Sequence, residues 1–226
     1  MNKILNDFPA ITVVGGGAIG ATDLAEALVL APSIVAADGG AASVLAAGYL
    51  PDMVIGDFDS LDATDRARIP PDRMHHVGEQ DSTDFEKVLT RLRADLIVGI
   101  GFLGKRLDHQ LAALNALARL HHLPCVLLGA HEVVFHLPSR ITLNLERNDV
   151  VSLFPLAPVT GRSAGLEWPI DGLAFAPGAR IGTSNRATGP VEIWMDSPGM
   201  IALVPRARLA CVAGALRSRA GAADRR

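Results

Sequence analysis

The stretch Asp52-Met-Val-Ile-Gly-Asp57-Phe-Asp59 places two carboxylates, Asp57 and Asp59, on either side of a single residue and directly after an apolar run. Carboxylates this close repel one another unless a cation sits with them. They are hard oxygen donors of the kind that suits magnesium, which takes a few carboxylates together with phosphate oxygens and water. Two more acidic clusters follow. Asp81 and Asp84 lie in Glu-Gln-Asp-Ser-Thr-Asp-Phe-Glu-Lys (79–87), and Asp108 lies beside His109 in Gly-Lys-Arg-Leu-Asp-His (104–109), two residues after Arg106. Asp81 and Asp84 can also be read as caps at a helix start, and Arg106 with Asp108 as a surface ion pair. Three acidic clusters and one arginine fit a shared task better. That task is metal-bound polyphosphate, with the guanidinium forked onto phosphate and a carboxylate to take a proton.

Such residues need a frame that brings them together. Short apolar runs recur at 11–16, 33–38, 52–57, 74–77, 95–101 and 125–129. They are continuous rather than alternating, which predicts strands covered on both faces: a mostly parallel sheet with flanking helices. Ligands of open α/β sheets collect at the carboxyl ends of the strands, where Asp38, Asp57, Asp59 and the 101–109 loop fall. Residues 83–94 read as a helix with Phe85, Val88, Leu89 and Leu92 on one stripe and Thr83 and Glu86 as a capping box. A second helix is predicted from about Asp108 to Leu120, burying Leu111, Leu114 and Leu117 or Ala118. After about residue 130 short runs crowd together at 131–137, 140–145, 149–156, 172–178, 191–196 and 200–205, broken by Gly, Pro and Asn. That grammar predicts a small antiparallel sandwich or barrel. The expected organisation is an α/β domain over 1–130, a β-sandwich over 131–210 and a solvated, disordered basic tail over 211–226.

Composition narrows the classes. With 226 residues, 49% of them hydrophobic, the chain can bury a real core. A net charge of -3 gives no general affinity for nucleic acid or acidic membranes. Cys125 and Cys211 lie far apart in apolar settings, as free thiols in a reducing cytosol would. Asn6, Asp7 and Pro9 interrupt any leader-like apolar region, and no uncharged stretch is long enough to span a bilayer, so a cytoplasmic protein is expected. Gly15-x-Gly17-x-x-Gly20 followed by Asp38 is formally a dinucleotide fingerprint. A nicotinamide enzyme would leave the acidic clusters and Arg106 without a task. The D-x-D of haloacid-dehalogenase-like phosphatases, whose first Asp is a nucleophile, leaves 79–87 and 104–109 equally unexplained.

In this order and at these spacings, ADGGAASVLAAGYLPDMVIGDFDSLD (37–62), DSTDFEK (81–87) and GFLGKRLDHQLAAL (101–114) resemble the thiamine pyrophosphokinase family. VSLFPL (151–156), GLEWPI (165–170) and IGTSNR (181–186) look like that family's thiamine-binding domain. The resemblance runs over roughly 11–205 and departs at Arg186, where an acidic residue commonly follows the Ser-Asn pair. It implies transfer of the pyrophosphoryl group of ATP to the hydroxyethyl oxygen of thiamine, giving thiamine diphosphate and AMP. It further implies that Asp57, Asp59, Asp81 and Asp108 handle Mg2+ and polyphosphate, with Asp84 nearby and Arg106 on the phosphate charge. Asp38, Gly39, Gly40 and His109 would lie on the nucleotide side, the glycines letting backbone approach it. Ser184 and Asn185 would contact the aminopyrimidine, and Trp168 or Trp194 would stack on the cationic ligand. Either tryptophan is otherwise an ordinary packed residue. The family's homodimer places the thiamine site at the subunit interface. Asp81, Asp84 and Asp108 all remain candidates for the general base. A thiamine or nucleotide sensor without turnover is the competing class, although every acidic position and Arg106 are present.

Overall fold

All six continuous apolar runs of the first half form strands. The computed structural model describes residues 6–79 and 81–223, and the chain divides into two compact units, residues 1–116 with 127–130 and residues 117–126 with 131–226. Along the first stretch run β1 (Asn6–Phe8), β2 (Ile11–Val14), α1 (Asp23–Leu30), β3 (Ser33–Ala37), α2 (Gly40–Ala46), β4 (Met53–Gly56), α3 (Ala63–Arg68), β5 (Met74–His76), α4 (Asp84–Leu89), β6 (Leu92–Ala94), β7 (Ile97–Ile100), α5 (Leu107–Arg119) and β8 (Cys125–Leu128). The sheet order is β8-β7-β2-β3-β4-β5, with β7 through β5 pairing in parallel. Every residue of β2, β4 and β7 is buried, which is why these runs carry no polar alternation. From β2 the chain winds outward through β3, β4 and β5, then returns to β7 on the other side of β2. The strand order therefore reverses at β2, the place where open α/β sheets leave a crevice.

Two helices differ from expectation. α4 stops at Leu89 because Thr90 turns its hydroxyl onto the Glu86 carbonyl (2.7 Å) and Arg91 N–H closes a tighter turn onto Val88 O (3.1 Å). Leu92 is buried as the stripe predicts, but as part of β6, which pairs in parallel with β1. In α5 the buried residues are Ala113, Ala116 and Leu117, whereas Leu111 is 57% exposed. The helix offers two apolar stripes, and the buried one carries alanines that permit closer approach than leucines do.

The second unit contains β9 (Glu132–His136), β10 (Arg140–Leu143), β11 (Val150–Pro155), β12 (Gly161–Leu166), β13 (Gly182–Met195), β14 (Met200–Pro205) and α6 (Leu209–Ala223). All its pairings are antiparallel, in the order β9-β14-β11-β13-β10, with β12 also on β13. The long β13 joins β11 through Gly182–Arg186 and both β10 and β12 through Val191–Met195, so one strand serves two sheets and builds a sandwich. Ile141 and Leu143 point inward and Arg140 and Thr142 outward, the alternation of a one-sided sheet. Residues 172–178 form no strand; Phe175 makes an isolated bridge to Val159 between glycines 172 and 178 at φ +73° and +72°. Where a frayed tail is expected from residue 211, the backbone is helical to Ala223. Leu209, Val212, Ala213 and Leu216 are buried at i, i+3, i+4 and i+7, and α6 packs on β10. Residues 224–226 lie outside the described residues. Among the described residues no helix is long and apolar enough to cross a membrane.

Candidate active site

β3 and β4 end side by side, with Ala37 opposite Ile55. Just beyond them Asp38 (φ +45°) and Phe58 (φ +66°) are in the left-handed region, a strain of about 1–3 kcal/mol each for such residues. Hydrogen bonds hold them there. Asp38 N–H donates to Ile55 O (2.9 Å), and Asp38 Oδ1 accepts the Phe58 N–H (2.8 Å). A side chain on Gly56 would meet Asp38 Cβ at 2.7 Å, so glycine is required between the two strand ends. Asp38, Asp57 and Asp59 consequently each bring a carboxylate oxygen within 4.8 Å of the others, the first buried, the second half-buried and the third exposed. Like charges gathered this closely repel one another unless cations share the place. Three hard oxygens gathered in one place fit a divalent cation such as Mg2+.

α4 enters from the side. Thr83 and Glu86 form the expected capping box, Glu86 N–H donating to Thr83 Oγ1 (3.3 Å) and Thr83 N–H to Glu86 Oε2 (3.2 Å). This fixes the first turn and stacks Asp84 under Lys87. The Lys87 ammonium donates to Asp84 Oδ1 and to Asp57 Oδ2, both at 3.0 Å, from a side chain only 3% exposed. The hydrogen bond from Lys87 holds the Asp57 carboxyl below the usual carboxylate range, against the opposing pull of burial. Burial pushes Asp84 up, and Lys87 only partly draws it back. Burial lowers the Lys87 ammonium, but its bonds to Asp84 and Asp57 outweigh that and raise it. Lys87 is not among the residues the motifs single out; its signal in the sequence is a lysine one turn after Asp84, beside the buried stripe. Asp81 is exposed, two residues before the capping Thr83.

After β7 the chain loops back along the Gly15–Gly20 turn. Arg106 forks onto Asp108, Nη2 to Oδ2 at 2.5 Å and Nε to Oδ1 at 3.1 Å, with both side chains largely exposed. The guanidinium holds Asp108 below the ordinary carboxylate value, and Asp108 raises Arg106 in turn. His109 is exposed and its N–H donates to Asp108 Oδ1 (3.0 Å). The glycine string has a packing task. A Cβ on Gly17 would stand 2.3 Å from Gly101 O, and one on Gly15 2.6 Å from the Phe102 ring. Gly40 likewise faces Val14 O, 2.0 Å from where its Cβ would be, and Gly39 faces Ser60 Cβ at 3.1 Å. These positions are glycine so that loops can touch, which accounts for the fingerprint without a dinucleotide.

In the second unit the two tryptophans separate. Trp194 has Arg162 and Arg140, its register partners on β12 and β10, over its ring at 4.8 and 5.7 Å. Trp168 is 55% exposed. Its backbone is clamped by buried Asn185, whose Oδ1 accepts the Trp168 N–H (3.1 Å) and whose Nδ2 donates to Trp168 O (2.6 Å). Asn185 Oδ1 also accepts the Arg186 N–H (2.8 Å). Ser184, at φ +63°, is exposed and tied through its N–H to Ser152 Oγ (3.0 Å).

Comparison with known proteins agrees with this division. Residues 24–127 match the family described as thiamin pyrophosphokinase, catalytic domain, and residues 139–200 match thiamin pyrophosphokinase, vitamin B1 binding domain. Thiamin pyrophosphokinase 1 of Caenorhabditis elegans is 28% identical over 173 residues, spanning 67% of this chain and 68% of that protein. Thiamine pyrophosphokinase 1 of Oryza sativa subsp. japonica is 28% identical over 156 residues, spanning 61% of this chain and 59% of the rice protein. Among solved structures, thiamin pyrophosphokinase from Candida albicans shares the fold with a TM-score of 0.75 at 16% identity, over 89% of this chain and 93% of that one. The enzyme of the same name from Geobacillus thermodenitrificans gives 0.71 at 25% identity, over 89% and 99%. Matched in both domains and in the same order, the chain belongs to the thiamin pyrophosphokinase family.

Proposed function

We propose that the chain transfers the pyrophosphoryl group of ATP to the hydroxyethyl oxygen of thiamine, giving thiamine diphosphate and AMP, at the carboxyl ends of β3 and β4. The observation that carries the reading is the convergence of Asp38, Asp57 and Asp59 in a unit that matches the family's catalytic domain, followed by a vitamin B1 binding domain.

The attacking alcohol is a weak nucleophile and the β-phosphorus is surrounded by negative charge. Catalysis rests on positioning and on charge neutralisation. Asp57 and Asp59, joined by Asp38, would hold Mg2+, with Asp81 and Asp108 as outer carboxylates of the same site. The bound ion supplies neutralisation of phosphate oxygens. Arg106 exchanges its exposed partner Asp108 for phosphate; the fork already formed suits either partner. A carboxylate of the site, Asp81, Asp84 or Asp108, takes the proton of the thiamine hydroxyl; burial raises Asp84, whereas Arg106 depresses Asp108. The thiamine oxygen bonds to the β-phosphorus, the bond from β-phosphorus to the α,β-bridging oxygen breaks, and AMP leaves with that oxygen. Gly39, Gly40 and His109 lie on the nucleotide side. Trp168, held by Asn185 and flanked by Ser184, offers the open ring for the thiamine cation.

The assembly is a homodimer in which each site draws its acidic residues from one copy and its thiamine residues from the other. Support comes from the sequence resemblance and from Leu107 and Leu111, exposed apolar residues one turn apart on α5. The free thiols Cys125 and Cys211 fit a reducing, cytoplasmic location. Calorimetry tests the metal–nucleotide site. Mg2+–ATP should bind the wild type at least tenfold more tightly than Asp57→Asn, and equal affinities would move the site elsewhere. A sensor would bind both ligands yet release no AMP when given thiamine and ATP.

A further inference from the structure

The reaction just described gives no task to Lys87, a buried cation. Lys87 joins a carboxylate at the end of β4 to one at the start of α4, Asp57 Oδ2 and Asp84 Oδ1, at 3.0 Å each. Lysine is almost never this deeply buried unless paired, and its side chain here is 3% exposed. Its backbone is fixed at both ends of the helix. The capping box sets the first turn, and the Arg91 guanidinium takes the Lys87 carbonyl (3.1 Å) and Glu79 Oε2 (2.8 Å) at the last. Phe85 packs on Phe102 with ring centroids 4.2 Å apart, tying α4 to the loop that carries Arg106. The ammonium is therefore delivered by a rigid element to a chosen place. With Asp57 Oδ2 bound to Lys87 and Oδ1 near the Asp59 N–H (3.4 Å), the Asp57 carboxylate has a defined rotation beside Asp38 and Asp59.

We propose that Lys87 is the positioning residue of the site: its ammonium locks Asp57 in the orientation shared with Asp38 and Asp59 and holds Asp84 beside it. The proposal rests on the metal–nucleotide reading above and goes beyond it by giving a fixed protein cation the task of arranging the acidic ligands. Neutralisation alone predicts the opposite of positioning. If Lys87 only offset charge, removing it would strengthen the attraction of the cluster for a cation. If it orders Asp57, removing it weakens binding, because the ligand set is no longer arranged in advance.

The test is Mn2+ binding to the nucleotide-free protein, followed by electron paramagnetic resonance, in wild type, Lys87→Met, Lys87→Arg and the charge-balanced pair Lys87→Met with Asp84→Asn. Mn2+ should bind Lys87→Met at least tenfold more weakly than wild type, and kcat should fall at least a hundredfold while KM for thiamine stays within about threefold. Lys87→Arg, which keeps the charge, should recover metal affinity to within about threefold of wild type. The double variant removes one charge of each sign, so the net charge beside position 87 is kept and only the half-buried Asp57 loses its bond to Lys87. It should still bind Mn2+ weakly. Unchanged or tighter Mn2+ binding in Lys87→Met or in the double variant overturns the proposal while leaving the metal reading in place. A wild-type protein that binds no Mn2+ overturns both.

Discussion

Asp38 Oδ1 accepts the backbone N–H of Phe58 at 2.8 Å, so the residue that follows β3 sets the turn between Asp57 and Asp59. Asp38 is 1% exposed, and its two tasks, acceptor for a buried N–H and member of the acidic group, can be separated by substitution. Asp38→Asn keeps an oxygen acceptor and should keep its melting temperature while losing at least tenfold in Mg2+ affinity. Asp38→Ala also orphans the Phe58 N–H and should lose about 1–3 kcal/mol of stability. Equal unfolding curves for the two variants would show that the Phe58 bond contributes nothing.

Gly40→Ala should destabilise the fold strongly, because its Cβ would lie 2.0 Å from the Val14 carbonyl oxygen, a backbone atom that cannot move alone. Gly16→Ala, whose Cβ meets nothing closer than 3.8 Å, should be mild by the same chemical denaturation measurement. NAD should show no binding by calorimetry. A micromolar dissociation constant that ATP does not compete away would revive the dinucleotide reading.

The tryptophans should part in kinetics. Trp168→Ala should raise KM for thiamine about two- to thirtyfold, the range of a cation–π contact worth about 0.5–2 kcal/mol. Trp194→Ala should leave that KM within about threefold, since Arg162 and Arg140 already lie over the ring, and should act on stability instead. A larger KM effect at Trp194 would reverse the assignment.

Much of this architecture is legible in the sequence because burial on two faces leaves a plain mark. The runs around Val13, Val35, Ile55 and Val98 carry no polar alternation, and Thr83 with Glu86 announces a helix start. Leu92 shows the limit of periodicity: a residue at i+7 can be buried by a strand as well as by another turn. β12, Gly-Arg-Ser-Ala-Gly-Leu, lacks β-branched residues and is held by its pairing with β13 rather than by propensity. The arginines around α6 hide an apolar stripe of Leu209, Val212, Ala213 and Leu216. Asp57 and Asp59 stand out because a short motif holds both. Lys87 does not, because a lysine on a helix is ordinarily solvated and its partner Asp57 is distant in sequence. Asn185 is legible as a polar residue in a motif, but its grip on the Trp168 backbone is a tertiary fact.

The shared-site assembly predicts complementation. Asp57→Asn and Asn185→Ala homodimers should each be nearly inactive, since every site carries the lesion. Co-expressed, about half of the dimers are mixed, and each mixed dimer has one site free of both lesions. About one quarter of all sites should then work, given closed two-fold symmetry. Mixed dimers confirmed by mass that recover no activity would place the whole site within one chain.

The most direct test of the central claim identifies the products. Purified protein with thiamine, ATP and Mg2+ should yield thiamine diphosphate and AMP in equal amounts by mass spectrometry. Omitting Mg2+ or introducing Asp59→Asn should abolish nearly all turnover while the variant remains folded. Formation of ADP and thiamine monophosphate, or turnover by Asp59→Asn within about threefold of wild type (under about 1 kcal/mol in the barrier), would contradict the account.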